Sequence, residues 1–430
     1  MKNKLISNFN DAIFNSVNTL DGPIYKMNDL IDKFKTSNSD SNLKIRKIKI
    51  DELKNWSFDF QNNFIHDSGK FFKLIGLNCN GVKSGILLQD EIGTLGVLCC
   101  EIDGIAHFLI QLKKEPGNIV QSQLSPTLQA TLSNQNRKHG GSSPEFLDVF
   151  QNRNEINVII EKELPEQGGI YWQKFNKNII LESKYFKEPK NFMWMTLGQI
   201  FKFSEIDNSI NSCLRSVLSL ISYEQSENNN VEIQNKIKLY IEDYSMNCNL
   251  ENSVIEFLDK NKEKFCFQIN SNSFEVAGIE VEIPDREVNQ WNQPIIIQSD
   301  LVEYAFIKIK FKKNNYFVLN IEQQPGYKNN FVFSPIVITK ENFSEVKSRG
   351  ILSYKNSKVL KELEMSEEGG RFLNLKVKHT FYENLNIKNL KLNENQILVS
   401  LSEINKINEL GFLSMEGRSM LFFSNFIYNF

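Results

Sequence analysis

FLIQLKKEPGNIVQSQLSPTLQ (108–129) and FVLNIEQQPGYKNNFVFSPIVI (317–338) are one pattern written twice. Pro116-Gly117 recurs as Pro325-Gly326 and Ser125-Pro126 as Ser334-Pro335, each pair 209 positions apart. Working outward, PEQGGIYW (165–172) returns as SEEGGRFL (366–373), 201 positions on. TLGQI (196–200) returns as SLSEI (400–404), and Arg215-Ser216 as Arg418-Ser419. Matches in one order at slowly drifting offsets mark a tandem duplication. Thr196 with Gln199, and Ser400 with Glu403, carry the hydroxyl-to-acid or hydroxyl-to-amide spacing of a capping box, so each copy opens a helix at the same place.

Within each copy, VLCCEI–Asp103-Gly104–HFLIQL and IKIKF–turn–YFVLNIE read as hairpins. A helix is expected near 144–150 and near 355–364, followed by a Gly-Gly turn, a strand and the capped helix. Strands mixed with helices in this order give an α+β class. The polar run SYEQSENNN (222–230) is the natural boundary, dividing the chain into 1–225, with an N-terminal helical extension, and 226–430, which begins with a linker helix.

The 430 residues are 41% hydrophobic and 11% aromatic, enough for a packed core in each half. A net charge of −2 and a pI of about 6.2 argue against a nucleic-acid partner, which demands a basic surface. No apolar run reaches the ~18 residues of a membrane helix, and the N-terminus lacks a signal-peptide pattern. The six cysteines form no CxxC pair, so neither a zinc site nor a disulfide framework is expected, and the chain reads as cytoplasmic.

Polar residues gather in two places. Gln123, Ser125, Thr127, Gln129 and Thr131 share a face on period two, and Asn134, Arg137 and His139 follow just before Gly140-Gly141. Glycines there let a ligand approach the backbone. The loop PDREVNQWNQP (284–294) supplies Arg286, a bidentate fork for phosphate, Trp291, a surface for stacking, and amides including Gln293.

The segments EPGN, QLSPTLQAT, REVNQWNQP and EEGGRF, in order through both halves, resemble the NDP-hexose 2,3-dehydratase family. That resemblance implies a tandem duplication of a Nudix-like mixed-sheet αβα sandwich, a homodimer, and a nucleotide-sugar pocket in each copy. It implies removal of the C2 hydroxyl from an NDP-linked 4-keto-6-deoxyhexose, with dTDP the expected carrier, to leave a labile 3,4-diketo-2,6-dideoxy sugar passed to a 3-ketoreductase. Elimination followed by tautomerisation calls for no cofactor and no metal. The metal-binding glutamate helix of Nudix hydrolases is absent from the sequence. A base must take the C3 proton and an acid must meet the departing hydroxide. His139, whose ordinary pKa lies near working pH, and Glu115 are the catalytic candidates. Arg137, Arg286 and Arg371 are candidates for the diphosphate, Trp291 and Gln293 for the nucleotide, and Thr127, Gln129 and Asn134 for the sugar. In the second copy Thr127 and Gln129 become Ile336 and Ile338, so the first copy is the expected working half. A Nudix-type nucleotide-sugar hydrolase and a non-catalytic nucleotide-sugar binding protein are the competing readings.

Overall fold

The computed structural model describes residues 8–39, 43–132, 143–153, 156–222, 230–243, 246–269, 272–283, 288–298, 302–311, 314–338, 357–384 and 392–428. Two seven-stranded sheets share one topology. In the first, the order is Val158–Pro165, Phe175–Glu182, Gly93–Ile102, Ile105–Lys114, Phe192–Met195. In the second it is Ser357–Ser366, Lys376–Asn384, Val302–Phe311, Asn314–Gln323, Gln396–Ser400. The central pair of each, Phe175–Glu182 with Gly93–Ile102 and Lys376–Asn384 with Val302–Phe311, runs parallel. Registers repeat as well: Gln111 opposes Ser125 and Asn320 opposes Ser334. Asp103 and Gly104, both at positive φ, close the first hairpin as a two-residue turn suited to strand twist. Both capping boxes form, with the Thr196 and Ser400 hydroxyls accepting from Gln199 N and Glu403 N.

Two sequence expectations are corrected. Residues 357–366 form an edge strand, not a helix. A bulge between Val359 and Lys361 breaks the alternation that would have announced it, and the first copy carries the same bulge between Val158 and Ile160. Most of REVNQWNQP is likewise no loop, because Gln290–Ile297 pairs antiparallel with Asn272–Glu282.

The copies are interleaved. Lys44–Ile48, near the start of the first copy, pairs with Asn272–Glu282 of the second, while Cys248–Glu251, near the start of the second, pairs with Lys73–Cys79 of the first. Cys79 and Cys248, directly opposite in that register, form a disulfide that the sequence did not announce across 169 positions. Phe108, Ile110 and Leu214 share one core with Phe306, Phe317 and Phe423.

The repeated motifs explain themselves at this interface. Gly117 N donates to Gly369 O and Asn374 N to Gly117 O; reciprocally, Gly169 N donates to Pro325 O and Gln173 N to Gly326 O. A Cβ on Gly117 would lie 1.6 Å from Phe372 O, and one on Gly326 2.1 Å from Tyr171 O, so each Pro-Gly turn sits against the other copy's Gly-Gly turn where only glycine fits. Arg215 and Arg418, both fully buried, donate across the same seam to Ser366 O and Pro165 O. The motifs are therefore a reciprocal clamp. Among the described residues no helix is long and apolar enough to cross a membrane.

Candidate functional site

A cavity of about 690 Å³ opens between the copies. The first copy contributes Lys113, Glu115 and Gln129 from adjoining strands, and Glu166, Tyr171 and Lys174 from around its Gly-Gly turn. From the second come Trp291 and Gln293 on one strand, and Glu368 and Arg371 on its own Gly-Gly turn.

At the floor, Glu115 follows the strand Ile105–Lys114, immediately before the Pro116-Gly117 clamp. Lys113 Nζ lies 3.1 Å from Glu115 Oε1, and Asn211 Nδ2 donates to Oε2 at 3.4 Å. The Gln129 amide bridges two carboxylates, donating from Nε2 to Glu115 Oε1 at 3.3 Å and to Glu368 Oε1 at 2.9 Å. Gly370 N also donates to Glu368 Oε1, at 3.2 Å. Although part of Glu368 is reachable from the cavity, enclosure of its carboxyl pushes its pKa up. Neighbouring Glu115 pushes further, while Arg371 and Lys113 pull back.

Beside this floor, Lys174 is buried, donates to Glu91 O, and has its pKa pushed down to about 8 by that burial. Burial likewise raises Glu166, whose Oε1 accepts from Asn176 Nδ2. The Arg371 guanidinium lies 4.8 Å from the Phe72 ring centre, a cation–π contact at the wall. Trp56, His66, Phe71 and Phe72 line the same cavity, with the His66 ring edge-on to Trp56 at 5.3 Å and to Phe71 at 4.5 Å. Trp291 Nε1 donates to Gln293 Oε1 at 2.8 Å, and Gln293 Nε2 holds Gly370 O at 2.8 Å, steadying the turn that carries Arg371. A pocket with an aromatic wall, cations from both copies and paired carboxylates can hold a base, a diphosphate and a reacting sugar together.

Of the residues singled out by sequence, Glu115, Gln129, Trp291, Gln293 and Arg371 come together here. Thr127 does not. Its hydroxyl accepts from Leu98 N at 3.0 Å and donates to Leu109 O, joining two strands away from the cavity. Asn134, Arg137, His139 and Arg286 lie outside the described residues. The comparison of Gln129 with Ile338 is off by one. Gln129 opposes Leu95 and Val337 opposes Tyr304, 209 positions on from Leu95, so Val337 is the counterpart.

Sequence reasoning passed over Lys113, Lys174 and Glu368, although the differences between copies marked them. Moving 209 positions, Lys113 becomes Glu322 and Glu115 becomes Gln324; at 201 positions, Lys174 becomes Leu375. Read the other way, Glu368 answers to Gln167 and Arg371 to Ile170. The related place therefore lacks these cations and both carboxylates, so only one of the two is equipped for an anionic ligand.

The family profile described as NDP-hexose 2,3-dehydratase matches residues 27–221 and again 235–423. A dTDP-4-dehydro-6-deoxy-alpha-D-glucopyranose 2,3-dehydratase of Amycolatopsis orientalis is 28% identical over 362 residues, covering 78% of this chain and 77% of the relative. The enzyme of the same name from Saccharopolyspora spinosa is 28% identical over 376 residues, covering 77% of each chain. That of Streptomyces violaceoruber is 24% identical over 410 residues, covering 88% of this chain and 92% of its own. Among solved structures, the Ap4A hydrolase of C. elegans is 16% identical, covering 30% of this chain and 98% of its own with a TM-score of 0.22. An ADP compounds hydrolase is 14% identical, covering 38% of this chain and 92% of its own with a TM-score of 0.25. These two structural likenesses are too weak to carry a fold argument.

Proposed function

The chain belongs to the NDP-hexose 2,3-dehydratase family, and we propose that it removes water across C2 and C3 of a dTDP-linked 4-keto-6-deoxyhexose in the cavity between its copies. The observation that carries this reading is the convergence, from both copies, of Lys113, Lys174 and Arg371 on the one cavity that Glu115 also lines. The cations suit a diphosphate, by charge-assisted hydrogen bonds that favour Arg and Lys. Trp291 and the Trp56–Phe71 wall suit a nucleobase. Glu115, set among donors to its anionic form, is the base at C3, where the C4 ketone acidifies the proton. His139 is retained from sequence as a second proton-transfer candidate, with Asn134, Arg137 and Arg286 as further ligands.

Each repeat is on this reading a Nudix-like αβα unit that has kept the architecture without the hydrolytic helix, since fold kinship does not carry activity with it. The chain works in the cytoplasm as a homodimer, and its diketo product goes to a 3-ketoreductase. The homodimer and the ketoreductase rest on the family resemblance, and the cytoplasm on the sequence reading alone, from whose expectation of no disulfide Cys79–Cys248 departs. The test is incubation with dTDP-4-keto-6-deoxyglucose, with and without a 3-ketoreductase and its hydride donor, read by mass spectrometry. A product lighter by one water and trapped on reduction supports the reading. Release of sugar phosphate with nucleoside monophosphate makes the protein a hydrolase, and tight binding with no turnover makes it a scaffold.

A further inference from the structure

Glu368 is the second copy's carboxylate at the floor of the cavity. We propose that Glu368 is the catalytic acid that protonates the departing C2 hydroxyl, paired across the interface with Glu115 as the base at C3. This rests on the dehydratase reading. Three observations carry it. Both Oε1 atoms accept from one nitrogen, Gln129 Nε2, so the two carboxyl oxygens lie within about 6 Å of each other, a span suited to vicinal C3–H and C2–O bonds. Two carboxyls so placed do not both ionise readily, and one proton is held by the pair. Lys113 and Asn211 favour the anion at Glu115, which leaves the proton on Glu368. Finally, the related place carries Gln324 and Gln167, so both carboxylates are missing together, as expected of groups that act as a unit.

The pair closes a balanced cycle. Glu115 takes the C3 proton and the C3–H electrons pass into the C4 enolate, which then re-forms the C4 ketone and the C2=C3 bond as the C2–O bond breaks. Glu368 gives its proton to the leaving hydroxide, which departs as water. The resulting enol passes its O3 proton to Glu368 while Glu115 returns its proton to C2. That leaves the 3,4-diketone with both carboxyls in their starting states and nothing oxidised or reduced overall. Gln129 is a positioning residue that holds the two carboxyls in register. Among the described residues, the charged and titratable groups facing Glu368 are Glu115, Lys113, Arg371, Glu166, Tyr171 and Cys213.

The experiment separates the two half-reactions. In heavy water, Glu368→Gln is expected to keep exchanging the C3 hydrogen of the substrate while its elimination kcat falls ~10²–10⁴-fold. Its affinity for dTDP should stay within about twofold of wild type. Glu115→Gln should lose exchange and elimination together. The wild-type alkaline limb of the kcat profile should vanish in Glu368→Gln and persist, at lower kcat, in Glu368→Asp. Elimination at the wild-type rate in Glu368→Gln overturns the assignment. So does loss of exchange in that variant, or a Glu368→Asp no more active than the glutamine variant. If wild-type protein exchanges nothing and eliminates nothing, the dehydratase reading itself falls.

Discussion

Replacing Gly117 by alanine puts a single methyl group into the clamp between the copies. Its carbon would stand 1.6 Å from Phe372 O, 2.6 Å from Phe372 C and 2.8 Å from Gly369 O. All three are backbone atoms, so no side chain can swing aside, and the two turns must separate. Forcing a methyl into a filled space costs about 1–3 kcal/mol. The separation also weakens the hydrogen bonds from Gly117 N to Gly369 O, at 2.7 Å, and from Asn374 N to Gly117 O, at 2.9 Å. Each is worth about 0.5–1.5 kcal/mol, so the total loss is about 2–6 kcal/mol. A typical domain is stable by only about 5–15 kcal/mol. Because Glu115 and Glu368 flank these turns, the same displacement pulls the carboxylates apart. Urea unfolding followed by tryptophan fluorescence, with kcat measured on the folded fraction, should show both losses. Gly326→Ala, at the reciprocal clamp beside Tyr171 O, should lower the midpoint comparably while costing less kcat. A Gly117→Ala protein with wild-type midpoint and wild-type kcat would show that the two turns do not clamp the copies together.

Other outcomes follow from the same geometry. Arg371→Ala removes a charge-assisted contact worth about 1.5–3 kcal/mol, so dTDP should bind ~10–150-fold more weakly by calorimetry, and unchanged affinity would remove Arg371 from the phosphate site. Lys174, pushed down to about 8 with Glu91, Glu166 and Asp90 opposing the shift and Arg371 adding to it, sheds its charge as pH rises through that value. Affinity for dTDP should therefore fall from about pH 7 to 9 in wild type and stay level in Lys174→Met; a level wild-type profile would contradict the assignment.

The duplication was legible because the clamp demands the same residues twice. Pro-Gly, Gly-Gly and the buried arginines are each read by the opposite copy, so neither could drift alone. The strand exchange was not legible, since Lys44–Ile48 and Cys248–Glu251 find their partners across the chain and nothing local names them. Residues 357–366 were hidden by a bulge, and Thr127 looked like a ligand because its hydroxyl lies on a polar face whose destination only tertiary structure decides. At the site, Trp291 and Arg371 stood out by residue type. Lys174 and Glu368 did not, because in sequence they are ordinary surface charges. Only the convergence of the two Gly-Gly turns on one cavity gives them a role.

If the two copies build one working site, a crystal structure with dTDP bound will show the nucleotide between them. The diphosphate is expected within hydrogen-bonding reach of Lys113, Lys174 or Arg371 and the thymine against Trp291 or the Trp56–Phe71 wall. The sugar end should point to Glu115, Gln129 and Glu368. A nucleotide seated within either copy alone, touching none of these residues, would contradict a shared site.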